Sequence, residues 1–172
     1  MEIFNPENSK SVPKGHVLLS QGELSSTAFW VEKGCLKSYV IDKTGKEHIL
    51  QFAPEGWLIS FMDVYPHQTH SNIFIDAIED SKVVLLSKVE FGKLEELDKP
   101  ILVEMSKKYQ NNLIAKNKRI IGLLSSTAEE RYVEFTETYP TLVQRLPLKL
   151  IASYIGITPE YLSEIRRKIS KK

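Results

Sequence analysis

The spacing of apolar residues changes after Leu86, and that change divides the 172-residue chain into a strand-forming part and a helix-forming part. Before Leu86, short runs of β-branched and aromatic residues alternate with turns that contain glycine, such as Gly34 and Gly45. The strands predicted from these runs are 16–19, 28–31, 35–41, 48–52, 72–77 and 82–86. Many short strands joined in this way favour a barrel or a jelly roll.

Helical spacing takes over at Ser87. Ser87 and Glu90 form a capping-box pattern, which predicts a short helix that ends before Pro100.

A longer helix is predicted over 100–125, where apolar residues recur at intervals of three and four. The residues of this seam are Leu102, Met105, Tyr109, Leu113, Ile120 and Leu124, with Lys116 in the same series. The seam favours a dimer interface. The alternative is packing on the strands of the same chain, and both can hold along different parts of one helix.

The segment 150–167 has the pattern of a helix-turn-helix. Ala152 is small where two helices approach closely, and Gly156 can adopt the positive φ of a sharp turn. Thr158 can cap the second helix, and Pro159 suits its first position. Upstream, Thr127 is predicted to cap another helix that runs toward Tyr139 and Pro140.

The second helix of this pair has one apolar and one polar face. At about 100° per residue, Leu162, Ile165 and Ile169 fall together, and the opposite face is polar. Arginine can bond guanine and glutamate can accept from cytosine, so this face suits a major groove. The predicted DNA-binding residues are Thr158, Pro159, Glu160, Ser163, Glu164, Arg166, Arg167, Lys168 and Lys171. Of these, Glu160, Ser163, Glu164 and Arg167 are the candidate base readers. The alternative is a helical hairpin with a charged solvent face, on which Glu164 pairs with Lys168.

The charge distribution supports an interaction with DNA. Residues 145–172 contain seven basic and two acidic residues, a charge of +5. The preceding residues contain 16 basic and 20 acidic residues, a charge of −4, so the net charge of +1 hides the asymmetry. A basic module attached to an acidic body is typical of nucleic-acid-binding proteins.

Composition narrows the class of protein. A hydrophobic content of 42% can fill a core, and no apolar run approaches the ~18 residues of a membrane span. Residues 1–5 lack the features of a signal peptide, so we expect a cytoplasmic protein with no membrane partner. Cys35 has no partner for an internal disulfide and is expected to be buried.

The histidines suggest one alternative class of protein, a cupin-like metalloenzyme. His67 and His70 could offer two imidazoles, but an enzyme site needs three or more converging ligands, and His16 and His48 are far apart in sequence. Phosphate-loop and nucleophile-elbow motifs are also missing from the sequence. We therefore expect no metal, no other cofactor and no enzymatic activity.

Four segments together resemble one family. Residues 14–23, 31–37, 54–59 and 127–131, followed by the helix-turn-helix, are similar to the cyclic-AMP receptor protein and FNR family of bacterial transcription regulators. The resemblance implies an α+β homodimer that binds a two-fold-symmetric DNA site, with RNA polymerase as a candidate partner. It implies a cyclic-nucleotide-binding-like β-roll (jelly-roll) domain over 1–99, a dimerisation helix over 100–125 and a helix-turn-helix domain over 126–172. Many members continue into a β-hairpin wing, most of which we expect to be lacking because the sequence ends at Lys172.

The resemblance also predicts where an effector would bind. Members that bind cyclic AMP hold the ribose with a Gly-Glu pair and the phosphate with an Arg-Ser or Arg-Thr pair. Ser60-Phe61 and Ser71-Asn72 take those positions here, so the arginine that would pair with phosphate is missing. The predicted pocket comprises Phe52, Ile59, Ser60, Phe61, Met62, Ser71 and Asn72, under a loop over 63–70. We expect either an unknown, less charged small-molecule effector or a β-roll that serves as a scaffold.

The sequence thus predicts a dimeric, sequence-specific transcription regulator whose nucleotide-binding cassette is degenerate. The alternative is a β-roll protein that binds a ligand or acts as a scaffold and does not read DNA.

Overall fold

The computed structural model describes residues 9–24, 27–60, 70–87 and 99–170. In these ranges the chain forms eight strands followed by four helices. The strands are β1 Ser9–Val12, β2 Val17–Leu19, β3 Thr27–Lys33, β4 Leu36–Ile41, β5 Glu47–Ala53, β6 Leu58–Ser60, β7 Phe74–Ala77 and β8 Ser81–Ser87. The helices are α1 Lys99–Ser125, α2 Ala128–Thr138, α3 Leu148–Ile155 and α4 Pro159–Ile169.

The strands form two antiparallel sheets with the order β1-β8-β3-β6 and β2-β7-β4-β5. This is the strand order of a jelly roll, in which the two inner faces enclose a core. Val31, Leu36, Ile59 and Ile75 lie in that core and are almost fully buried. The prediction of a barrel or jelly roll is therefore confirmed, and helices follow the β-sheet domain as an α+β chain requires.

The sequence patterns did not predict two of the strands, β1 and β6. Both are edge strands, and both are short. In β1 only Val12 is buried, so the strand has no run of apolar residues that would signal it. The short helix predicted to follow Ser87 lies outside the described residues, apart from Ser87 itself, which ends β8.

Polar side chains of helix α1 donate hydrogen bonds to backbone carbonyls at the edges of both sheets. Lys108 donates to the carbonyl of Gly56 at 3.2 Å, and Asn112 donates to the carbonyl of Leu58 in β6 at 2.9 Å. Arg119 donates to β5, which is the edge of the other sheet. Three side chains at positions i, i+4 and i+11 fall within about 40° around a helix. The polar face of α1 therefore faces the roll and satisfies carbonyl groups at its edges.

Residues 126–170, which contain α2, α3 and α4 and are called the helical module, pack on the outer face of the second sheet. Because side chains alternate along a strand, Ala53 faces the core of the roll whereas Phe52 faces outward. The Phe52 ring lies 6.1 Å from Phe135, 6.0 Å from Tyr139 and 5.3 Å from Tyr154, measured between centroids. One hydrophobic core therefore joins the predicted domain 1–99 to the predicted domain 126–172. Among the described residues no helix has the length and apolar character needed to cross a membrane.

Candidate nucleic-acid interface

The turn between α3 and α4 has the geometry that the sequence predicts. Gly156 ends α3 with φ 76° and ψ 40°, in the left-handed region that strongly favours glycine. The N–H of Ile157 donates to the carbonyl of Ala152 at 3.0 Å and closes the turn. Ala152 itself has no exposed surface, as its small size suggested.

Helix α4 begins and packs as predicted. The Thr158 hydroxyl accepts a hydrogen bond from the N–H of Tyr161 at 3.3 Å, and Pro159 occupies the first helical turn. Leu162 and Ile165 are buried against the rest of the helical module. Thr127 likewise caps α2 and forms a complete capping box with Glu130. The local signals for the helix-turn-helix are therefore confirmed.

The opposite face of α4 is open to solvent. Glu160, Ser163, Glu164 and Arg167 are all exposed, and so is Arg166. The Ser163 hydroxyl donates to the carbonyl of Pro159 at 3.0 Å, so its oxygen can still accept a bond from a base or a water molecule. The side chains that the sequence assigns to base reading therefore share an unobstructed surface.

Lys168 has a different partner from the one considered in the sequence. Its Nζ lies 2.6 Å from a carboxylate oxygen of Glu129 at the start of α2, rather than pairing with Glu164 one turn away. The pair raises the pKa of the Lys168 ammonium. Lys171 lies outside the described residues.

Tyr161 was not predicted as part of this surface. Its side chain is 49% exposed and flanks the polar face near the start of α4. Its exposure could have been read from the helical period, since Tyr161 falls between the buried stripe and the polar face.

The residues predicted for the effector pocket do not come together as one set. Ile59 is buried inside the roll, and Ser60 ends β6, whereas Phe52 lies on the outer face among the helical aromatic residues. Phe52 therefore faces away from the predicted pocket, because it alternates with the inward-facing Ala53. Phe61 and Met62 lie outside the described residues, as does most of the predicted loop.

Ser71 and Asn72 are the residues predicted to stand at the position of a phosphate-binding pair. Ser71 is buried, and its hydroxyl donates to the carbonyl of Ile73 at 2.7 Å and accepts from the Ile73 N–H at 3.1 Å. The hydroxyl is thus committed to a local turn and brings no positive charge. Asn72 is exposed.

The seam predicted on α1 divides between two environments. Tyr109 packs against the outer face of the first sheet, with Ala28 and Leu58 among its neighbours. Farther along the helix large apolar side chains are exposed, and these are Leu113, Ile114, Ile120, Ile121, Leu123 and Leu124. Ile114 and Ile121 were not part of the predicted seam. Leu102 and Met105 lie nearer the start of the same helix.

Neither thiol nor metal chemistry is indicated in the described part of the chain. Within it, no cluster of three or more histidine, cysteine or carboxylate side chains is placed to hold a metal ion. Cys35 is fully buried, and its burial raises the pKa of the thiol to about 12. A thiol in that state is a small apolar group and a poor nucleophile.

Similarity to known proteins identifies the family of this chain. The family model named cyclic nucleotide-binding domain matches residues 9–97, which is more than half of the chain. The chain belongs to the cyclic nucleotide-binding domain family. Within this family, the relatives and structural neighbours are regulators of the cyclic-AMP receptor protein and FNR group, and the resemblance seen in the sequence is confirmed.

Three similar proteins illustrate the relationship. The anaerobic regulatory protein of Pasteurella multocida strain Pm70 is 28% identical over 179 residues, which cover 96% of this chain and 64% of that protein. FixK2 from Bradyrhizobium japonicum has a TM-score of 0.75 at 19% identity, covering 95% and 84% of the two chains. A CRP/FNR-family transcriptional regulator from Thermus thermophilus has a TM-score of 0.69 at 17% identity, covering 95% and 86%. The solved structures establish a shared fold, and the chain spans slightly less than two thirds of the Pasteurella protein.

Proposed function

We propose that this chain acts as a dimeric, sequence-specific DNA-binding transcription regulator with a β-roll sensor domain. The observation that most supports this function is that α4 has one buried apolar face and one exposed polar face. Leu162 and Ile165 fix one face in the core, while Glu160, Ser163 and Arg167 stand exposed on the other. A capped helix presented after a glycine turn is the arrangement that places side chains in a major groove. The relatives, which are regulators rather than enzymes, support the same function.

The dimer is supported by the two faces of α1. Its polar face is used on the edges of the roll, through Lys108, Asn112 and Arg119. Beyond Tyr109, which packs on the first sheet, large apolar residues are left exposed on the other side, where Ile121 is 61% and Leu124 is 83% exposed. Exposed apolar side chains along one side of a long helix are typical of a helix that pairs with a second copy. A two-fold dimer would in turn match a two-fold-symmetric DNA site.

The sensor is proposed to have lost the cyclic-phosphate site. A phosphate requires a positively charged, forked partner or several donors, and Ser71 supplies neither because its hydroxyl is bonded to Ile73. Titration calorimetry with cyclic AMP should then give no saturable heat. A tight, saturable signal would contradict the proposal. Contact with RNA polymerase remains a prediction from the resemblance alone.

DNA reading is tested by selecting random duplexes with the purified protein at one stated salt concentration and sequencing them. We expect two-fold-symmetric sites with half-sites about one helical turn apart. Replacing Arg167 with alanine should cost about 1–3 kcal/mol of binding free energy and relax specificity at one position. Lys43→Ala, an exposed charge change in the β4–β5 turn, is the matched control and should bind as the wild type does. Absence of any enrichment would instead favour a β-roll protein that does not read DNA.

A further inference from the structure

The edge of β5 is where the sensor and the helix-turn-helix meet. An edge strand presents backbone N–H and C=O groups that need partners. Ser153, on α3, satisfies two of them: its hydroxyl donates to the carbonyl of Glu47 at 3.0 Å and accepts from the N–H of Ile49 at 3.2 Å. Helix α3 is thereby attached to β5 much as another strand would be.

Arg119 makes a second connection at the same place. Its guanidinium donates to the carbonyls of Ile49 at 2.8 Å and Leu50 at 3.4 Å in β5. It also donates to the carbonyl of Tyr154 in α3 at 3.0 Å, and it lies 4.4 Å from the centroid of the Tyr154 ring. One side chain of α1 therefore joins the sensor strand to the first helix of the helix-turn-helix.

A bulge in β5 makes this possible. The pairing of β4 with β5 shifts between Ser38 and Tyr39, so that Leu50 has no partner on β4. In a regular strand successive carbonyls point to opposite sides, whereas an unpaired extra residue changes that alternation. The carbonyls of Ile49 and Leu50 can then both face Arg119.

We propose that Arg119 and Ser153 are positioning residues for DNA reading: they fix the helix-turn-helix on the edge of β5 and so present α4 at one distance and angle from α1. This inference rests on the proposed function. In a dimer built on α1, the distance between the two α4 helices follows from how each helix-turn-helix is held relative to its own α1. That distance selects the spacing of the two half-sites.

Arg119 and Ser153 affect where α4 is held and do not themselves contact DNA. Neither residue is on the exposed face of α4, and Arg119 donates its bonds to carbonyls of the same chain. Removing either residue should leave the phosphate contacts of α4 unchanged, so the dependence of binding on salt should keep its slope. What should change is the selectivity for half-site spacing.

The first measurement is independent of DNA. Amide hydrogen exchange followed by NMR should be faster at Ile49 in Ser153→Ala, because that N–H loses its acceptor. Ser153→Thr keeps the hydroxyl and should restore protection. Ser125→Ala is the matched control, since the Ser125 hydroxyl bonds within α1, to Ile121. Unchanged exchange at Ile49 in Ser153→Ala would overturn the proposal.

The second measurement uses duplexes whose half-sites are separated by a series of spacings. Wild-type protein should prefer one spacing, and Ser153→Ala and Arg119→Lys should bind that spacing about three- to tenfold more weakly, the size of one or two net hydrogen bonds. Both variants should accept neighbouring spacings more readily, with an unaltered salt slope, and Ser153→Thr should recover the preference. An unchanged spacing preference in the two variants overturns the inference while leaving the proposed function intact. Failure of the wild type to bind any duplex contradicts the proposed function and, with it, the inference.

Discussion

Arg145 and Glu55 form a two-point salt bridge between the helical module and the sensor. The two guanidinium nitrogens lie 3.0 and 2.9 Å from the two carboxylate oxygens, and Arg145 also contacts Glu79. The Glu55 carboxylate in turn accepts from the N–H of Gly34 at 2.9 Å. Arg145 therefore belongs to the junction with the β-roll, although the sequence places it within the basic C-terminal module.

This pairing gives a prediction for Arg145→Ala. The substitution should lower the free energy of unfolding by about 1 kcal/mol, since the pair is partly exposed but forked and shared with Glu79. Urea unfolding can be followed by fluorescence, because Trp57 of the roll lies 5.3 Å from Tyr139 of the helical module between ring centroids. Lys149→Ala, an exposed charge change nearby, is the control and should leave unfolding unchanged. A reduced salt slope for DNA binding in Arg145→Ala would contradict this assignment, because it would mean that Arg145 contacts phosphate.

The same pair predicts a dependence of stability on pH. Arg145 holds the pKa of the Glu55 carboxyl below its usual range. A group whose pKa is lower in the folded state stabilises the fold above its unfolded pKa, and that contribution disappears as the pH falls through the folded pKa. Wild type should therefore be more stable than Glu55→Gln at neutral pH, and the difference should vanish in acid. The check is urea unfolding of both proteins from pH 7 downward, and a difference that persists below about pH 2 would contradict it.

Substitution of Gly156 tests the turn between α3 and α4. Gly156→Ala places a side chain at φ 76°, and its Cβ would lie 3.1 Å from Cδ2 of Leu123. We expect a loss of about 1–3 kcal/mol in the free energy of unfolding. Gly45→Ala, at φ 83° with open space around its Cβ, is the control for backbone strain alone and should cost less. Thermal unfolding of the two variants measures the difference, and equal losses would mean that contact with Leu123 contributes nothing.

The exposed stripe of α1 predicts the oligomeric state. Ile121→Glu should weaken self-association strongly, because a carboxylate would be buried in the apolar interface. The fold of each chain should persist, since Ile121 is 61% exposed in the single chain. Leu24→Glu makes the same chemical change at a residue that is 59% exposed on the roll, and it should leave the dimer intact. Sedimentation equilibrium compares the three proteins, and a monomeric wild type would contradict the proposed dimer.

Much of the fold and the candidate site could be predicted because the responsible interactions are local. The Thr158 cap reaches only three residues along the chain, and Gly156 ends α3 through bonds to the preceding turn. The strands β2, β3, β4, β5, β7 and β8 coincide with predicted apolar runs, whereas β1 has a single buried residue and β6 is only three residues long. The exposed face of α4 followed from helical period once its start was known.

The sequence by itself therefore determined the helix-turn-helix, the jelly-roll class and the polar face proposed to read DNA. Only the tertiary structure decided the partners of Phe52, Arg119, Arg145 and Ser153. Arg119 bonds a carbonyl 70 residues away, and Ser153 bonds one 106 residues away. Such contacts depend on strand register and on which strand lies at the edge of the sheet. A one-residue shift in β5 would move its side chains to the opposite face and remove these contacts. No local pattern of residues records that choice, because it is made when the helices pack on the sheet.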